Sequence, residues 1–184
     1  FVFCFIGRLV GDKGVNELVQ AFVSLLKNHK KIKLILVGDY ESSLDPIKTE
    51  TKKLIIKTPD IIEAGYQDDV RPILSISNAF VLPSYREGFP GSVIQAGAMN
   101  LPSIVTDING SNEIIIDQIN GVIIPPKNID SLRRAMSDFI TNHDKTIKLS
   151  NNARSVIIDR YDQKIIFNAI KNKYAFLINK NGLL

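Results

Sequence analysis

Residues 1–26, FVFCFIGRLVGDKGVNELVQAFVSLL, followed by KIKLILVGD at 31–39, decide the fold. The first six residues form an apolar run rich in Phe, Val and Ile. That is how a strand buried on both faces reads. A glycine loop follows, from Gly7 to Gly14. Val15, Leu18, Val19, Phe22, Leu25 and Leu26 then recur at the 3.6-residue spacing of an amphipathic helix. Residues 32–37 are a second apolar run, closed by Gly38 and Asp39. Two uniformly apolar strands joined through a helix make a parallel βαβ unit.

The same alternation continues along the chain. A helix is predicted over 46–57, with Pro46 in its first turn. A short strand follows at 61–64, then a helix capped by Asp68 and running to Ile76. Strand 79–82 ends at Pro83, and the loop SYREGFPG (84–91) opens a helix reaching about Met99. Strand 103–105, a short helix near 112–116 and strand 122–124 come next, the last stopped by Pro125 and Pro126. The remainder reads as helices over 129–141, 145–159 and 163–179, with Phe167, Tyr174 and Leu177 as core residues. Six short apolar runs alternating with helices predict an α/β fold: a Rossmann-like, doubly wound parallel sheet of about six strands. In such a sheet ligands bind beyond the carboxyl ends of the strands, so the loops after strands carry the functional reading.

Composition narrows the classes further. With 45% apolar and 23% charged residues in 184, the chain has globular proportions and is neither disordered nor collagen-like. One cysteine, Cys4, rules out a disulfide framework and a cysteine-based zinc site, and its apolar surroundings suit a buried, reduced, cytosolic thiol. No apolar run approaches the ~20 residues of a membrane span. A net charge of +4 without a concentrated basic stripe argues against nucleic acid as a partner. His29 and His143 are isolated and read as surface residues, and no metal site is expected. The chain opens directly on a buried strand without a starting Met, which suggests that a longer protein precedes Phe1.

Two loops carry chemistry. GRLVGDKG (7–14) joins the first strand to the first helix. A helix start offers free N–H groups and about half a positive charge, and Arg8 and Lys13 add two full charges, so the loop suits a small anion. Its glycines are spaced neither as GxGxxG nor as GxxxxGK[ST], so the dinucleotide and P-loop fingerprints are missing. Asp39 could still serve as a ribose-binding acid. The alternative for this loop alone is an ordinary strand–turn–helix with solvated Arg8 and Lys13. The second loop, after the fourth strand, places Glu87 just before the backbone N–H groups of Gly88, Phe89, Gly91 and Ser92. A carboxylate that accepts from hydroxyls, beside N–H groups that hold phosphate, describes a nucleotide sugar. Gln95, eight positions after Glu87, falls about one turn into the helix and is expected to share its pocket. Asp107 and Glu113 read as capping residues rather than ligands.

The segments GRLVGDKGVNELVQAF (7–22) and PSYREGFPGSVIQAGAMNLP (83–102) resemble the C-terminal, donor-binding half of retaining glycosyltransferases of family 4, which have the GT-B fold. LILVGD, AGYQDDV, TDINGSNEII and NGVIIPP fit in order, so the resemblance spans nearly the whole chain. The PSYREGFP form is similar to enzymes that build capsule, O-antigen and exopolysaccharide. The resemblance implies that residues 1–184 are a nucleotide-sugar binding domain, and that an N-terminal acceptor domain lies outside this chain. It implies transfer of a hexose or N-acetylhexosamine, with UDP-sugars favoured, to a glycan or lipid-linked acceptor, with retention and without a bound metal or other cofactor. The location implied is cytoplasmic, with peripheral association of the full-length enzyme at the inner face of the membrane.

Residue by residue, the resemblance gives Arg8 and Lys13 the donor diphosphate, with Gly7 beside them. Glu87 matches the first Glu of the family's Glu-x7-Glu motif and would hold sugar hydroxyls. The backbone at Gly88, Phe89, Gly91 and Ser92 would contact sugar and phosphate, and Tyr66 would flank the base or simply pack at a strand end. Gln95 departs from the pattern, because the family typically has a second Glu there, accepting from both ribose hydroxyls. An amide offers one acceptor oxygen and a donor pair instead. Two alternatives stay open: a degenerate, non-catalytic nucleotide-sugar binding domain, and an NAD-binding Rossmann domain.

Overall fold

The computed structural model describes residues 1–41 and 43–180. Six parallel strands form one sheet: β1 (Val2–Ile6), β2 (Lys33–Val37), β3 (Ile61–Gly65), β4 (Ala79–Leu82), β5 (Ser103–Thr106) and β6 (Gly121–Ile124). Their order is β3-β2-β1-β4-β5-β6. The chain therefore winds outward from β1 in one direction and from β4 in the other. The loops leaving these two central strands diverge, and the crevice between them is the ligand position of a doubly wound sheet.

Helices α1 (Val15–Leu25), α2 (Thr49–Lys57), α3 (Arg71–Ser75), α4 (Gly91–Ala98) and α5 (Ser111–Ile114) make the crossovers. Right-handed connections place α1 and α4 on opposite faces. The chain ends in α6 (Ile129–Thr141), α7 (His143–Tyr161) and α8 (Gln163–Lys180). α6 packs on α1, and α7 packs on α4. Phe3, Phe5, Phe22, Phe80 and Phe139 are wholly buried between the layers. Cys4 is buried among them, and loss of hydration pushes its thiol pKa up to about 12.

Several local expectations are corrected. Pro46 is not in the first turn of α2: it bridges to Val10, and the helix starts at Thr49. The buried Asn16 side chain of α1 sets that start, accepting from the Lys48 amide at 2.9 Å and from the Thr51 hydroxyl at 2.8 Å. Asp68 does not cap α3. Asp69 does the local work, accepting from the Arg71 amide at 3.0 Å. Asn142 caps α7 through the Lys145 amide and moves its start to His143, two residues before the predicted one.

The largest correction concerns α8. None of its residues is buried, and Phe167, Tyr174 and Leu177 are exposed rather than part of the core. Spacing shows that a helix has an apolar stripe but not what covers it, and among the described residues α8 packs only slightly on α7.

Gly14 holds the two central loops in place. It has φ +71°, and a Cβ there would come within 2.0 Å of the Pro83 carbonyl oxygen. Gly14→Ala is therefore expected to lower stability by more than about 2 kcal/mol, combining left-handed strain with a backbone clash. Gly88→Ala, which meets nothing within 4 Å, should change it by less than about 0.5 kcal/mol. Urea unfolding of both variants checks this.

Candidate functional site

The loop after β1 folds as a single 3-10 turn, Gly11–Lys13, pinned on both sides. The Leu9 amide donates to Asp39 O and the Gly11 amide to Asp45 O, each at 2.8 Å, tying it to the loop after β2. The Tyr85 amide donates to Asp12 O at 2.7 Å, and the Ser84 hydroxyl donates to the same oxygen at 3.2 Å. Arg86 Nε donates to Asp12 Oδ2 at 2.9 Å. Asp12 thus staples the first loop to the loop after β4.

That staple brings Lys13 to Glu87. Lys13 Nζ donates to Glu87 Oε1 at 2.6 Å, and the two side chains are only 17% and 10% exposed. Their depression of about 450 Å³ is lined by Arg8, Asp12, Lys13, Arg86, Glu87 and Gly88. Arg8 also borders a second depression of about 450 Å³, floored by Gly7, Gly38 and Val37 and walled by Asp39, Tyr40, Glu41 and Tyr66. Gly38 (φ +129°) lets the β2 loop approach the first: a Cβ would lie 2.1 Å from the Gly7 carbonyl oxygen. The Arg8 Nη1 donates to Glu41 Oε2. Burial pushes the Tyr40 phenol pKa upward, helped by Glu63, which accepts a hydrogen bond from its hydroxyl. Asp39 accepts from the Tyr66 amide at 3.3 Å.

Gln95 does not share the depression of Glu87. It lines a third hollow of about 410 Å³ with Asp68, Asp69, Val70 and Arg71, which meets the second at Val70. In that hollow the Arg71 guanidinium and amide hold the Asp69 carboxyl down to about 2. Phe89 is exposed, and its ring meets Tyr161 edge-on at 5.4 Å. Gly91 and Ser92 form the first turn of α4, where backbone N–H groups have no partner within the helix. Glu113 accepts from the Gly110 amide at 3.2 Å as the capping reading requires, whereas Asp107 accepts from Asn112 Nδ2 instead. Among the described residues no cluster of His, Cys, Asp and Glu could hold a metal, and no helix is long and apolar enough to cross a membrane.

The structure thus gathers Arg8, Lys13, Glu87 and Gly88 in one hollow, with Gly7 and Tyr66 in the adjoining one. Sequence reasoning missed Asp12, Arg86 and Glu41. The first two adjoin Lys13 and Glu87 in the chain, and that adjacency was the available signal. No sequence signal places Glu41 on Arg8, because only the folded loop after β2 brings them together.

The sequence model of the family described as glycosyl transferases group 1 matches residues 1–156. The chain belongs to that family. It is similar to the capsular polysaccharide biosynthesis glycosyltransferase CapM of Staphylococcus aureus, at 25% identity over 99% of this chain and 48% of the relative. It is also similar to the UDP-Gal:alpha-D-GlcNAc-diphosphoundecaprenol alpha-1,3-galactosyltransferase of Escherichia coli, at 29% identity over 98% of this chain and 47% of that one. The chain spans about half the length of these curated relatives. Among solved structures, the Anabaena HepE protein in complex with UDP superposes with a TM-score of 0.87 at 21% identity, covering 95% of this chain and 48% of that one. This likeness shows the fold, a Rossmann-like α/β unit.

Lys13 and Arg8 differ in depth, and stability should register it. Lys13→Ala leaves Glu87 enclosed without its partner and should cost about 2 kcal/mol, or roughly 4–8 °C in Tm. Arg8 is 55% exposed, and Arg8→Ala should cost less than about 1 kcal/mol. Calorimetric melting of the two variants separates them.

Proposed function

We propose that this domain is the donor-binding half of a GT-B glycosyltransferase and holds a nucleotide-sugar, with UDP-sugars favoured. The observation that carries the reading is the pair of adjoining hollows at the switch point of the sheet, joined at Arg8. The hollow beside Asp39 and Tyr66 suits base and ribose, while the one with Lys13, Glu87 and Gly88 suits diphosphate and sugar. The UDP-Gal donor of the E. coli relative and the UDP complex of HepE support the choice of nucleotide.

The roles follow from the chemistry of the groups. Arg8 and Lys13 neutralise the nucleoside diphosphate as it leaves, so that charge developing on the leaving oxygen meets fixed cations. The amides of Gly88, Phe89, Gly91 and Ser92 donate to phosphate and sugar oxygens at the start of α4. Glu87, oriented by Lys13, accepts from donor sugar hydroxyls beside the anomeric carbon. Gly7 floors the nucleoside side next to Arg8, Tyr66 flanks the base, and Gln95 faces the ribose from beyond Val70. The reaction is transfer of a hexose or N-acetylhexosamine with retention, in surface polysaccharide synthesis.

Residues outside this chain would form an acceptor domain for a glycan or lipid-linked acceptor. The enzyme would work in the cytoplasm, at the inner face of the membrane. The isolated 184 residues would bind donor without turning it over, because an acceptor site and a closed, dry cleft need both domains.

Titration calorimetry with UDP tests the reading directly. Arg8→Ala or Lys13→Ala should weaken UDP binding by about 10- to 100-fold, since each removes a charge-assisted contact. Uridine binding should change far less. Equal losses for UDP and uridine, or no UDP binding by the parent chain, would overturn it.

Gln95 gives a second measurement. Gln95→Glu restores two acceptors and a charge, and should tighten UDP by about 3- to 10-fold. The 2′,3′-dideoxy nucleotide should gain nothing. If both ligands respond alike, Gln95 does not read the ribose.

A further inference from the structure

The position of Glu41 on Arg8 has no part in the donor contacts described above. Glu41 stands in the loop after β2 and lines the base-side hollow, and Arg8 lies on the border between that hollow and the phosphate side. Among the described residues, Arg8 is the only cation paired with Glu41, and the contact is through a single guanidinium nitrogen. The Glu41 side chain is 27% exposed. If Arg8 left it, the carboxylate would face water rather than become an unpaired buried charge, so the exchange is inexpensive.

The rest of the cleft has the same balance. Lys13 pairs with Glu87, and Arg86 pairs with Asp12. Among the described residues that line the two hollows, all three cations are therefore already paired with carboxylates, and Asp39 adds a fourth carboxylate on the base side. Of the three pairs, Lys13 with Glu87 is enclosed, and Arg86 with Asp12 belongs to the staple between the loops. Arg8 with Glu41 is the pair free to exchange.

We propose that Glu41 is an affinity-setting residue, an internal carboxylate that competes with the nucleoside diphosphate for Arg8 and retakes the guanidinium as the product leaves. The inference rests on the donor-site reading above. A phosphate oxygen carries more charge and accepts from the guanidinium fork more strongly than one carboxylate oxygen does, so the ligand displaces Glu41. Competition from an exposed carboxylate takes back only part of that gain. Exposed ion pairs are weak, which limits the effect to about 2- to 5-fold in affinity. The role has value where release of the nucleoside diphosphate limits turnover.

The experiment is a double-mutant cycle on this chain, with UDP as the probe and melting curves confirming that each variant is folded. Glu41→Gln should tighten UDP by about 2- to 5-fold, with the gain in a slower dissociation rate by stopped flow. In the Arg8→Ala background the same substitution should have no effect. Weaker UDP binding by Glu41→Gln would show that Glu41 orients Arg8 or touches the ligand, and would overturn the proposal. Equal tightening with and without Arg8 would reduce it to a general charge effect and overturn it too. Failure of the parent chain to bind UDP would sink the donor-site reading itself. Normal parent binding with an unresponsive Glu41→Gln would overturn this inference alone.

Discussion

The site depends on the close approach of two backbones, Gly14 against the Pro83 carbonyl. The loops after β1 and β4 leave neighbouring strands at the point where the sheet reverses its order, so topology alone would let them splay apart. A residue without a side chain, in a left-handed conformation, lets them touch. Asp12 then accepts three hydrogen bonds from the second loop, through both its backbone and its side chain. Lys13 follows Asp12 in the chain, and Glu87 follows Arg86. Stapling one pair of residues therefore delivers the next pair to 2.6 Å. Preorganisation of this kind needs no movement of charge when a ligand arrives.

Much of the fold was legible because buried parallel strands are apolar on both faces and need no partner information to be read. The runs 1–6, 32–37 and 79–82 each correspond to a strand of the sheet. The failures came where a tertiary contact decided the outcome. Asn16, a polar residue inside α1, caps a different helix and displaces the predicted role of Pro46. On α8 the periodicity was right and the burial wrong, since Phe167 and Tyr174 form an apolar stripe that stays exposed among the described residues.

The candidate site divides in the same way. Arg8, Lys13 and Glu87 sit on loops whose position follows from strand order, so their convergence could be expected. The separation of Gln95 from Glu87 could not, because it depends on the direction in which α4 leaves the sheet. Glu41 was invisible for a related reason: chain distance carries no information about which loops of a doubly wound sheet lie side by side.

The burial of Cys4 has a consequence for how the cleft can be studied. With its thiol pKa up to about 12 and its sulfur inside the central strand, the single natural cysteine is chemically silent in the folded protein. The wild-type chain is therefore already a labelling background. A cysteine introduced at an exposed rim position such as Tyr66 would be the one site open to a fluorophore or spin label, and the base-side hollow could be followed without first removing a residue from the core.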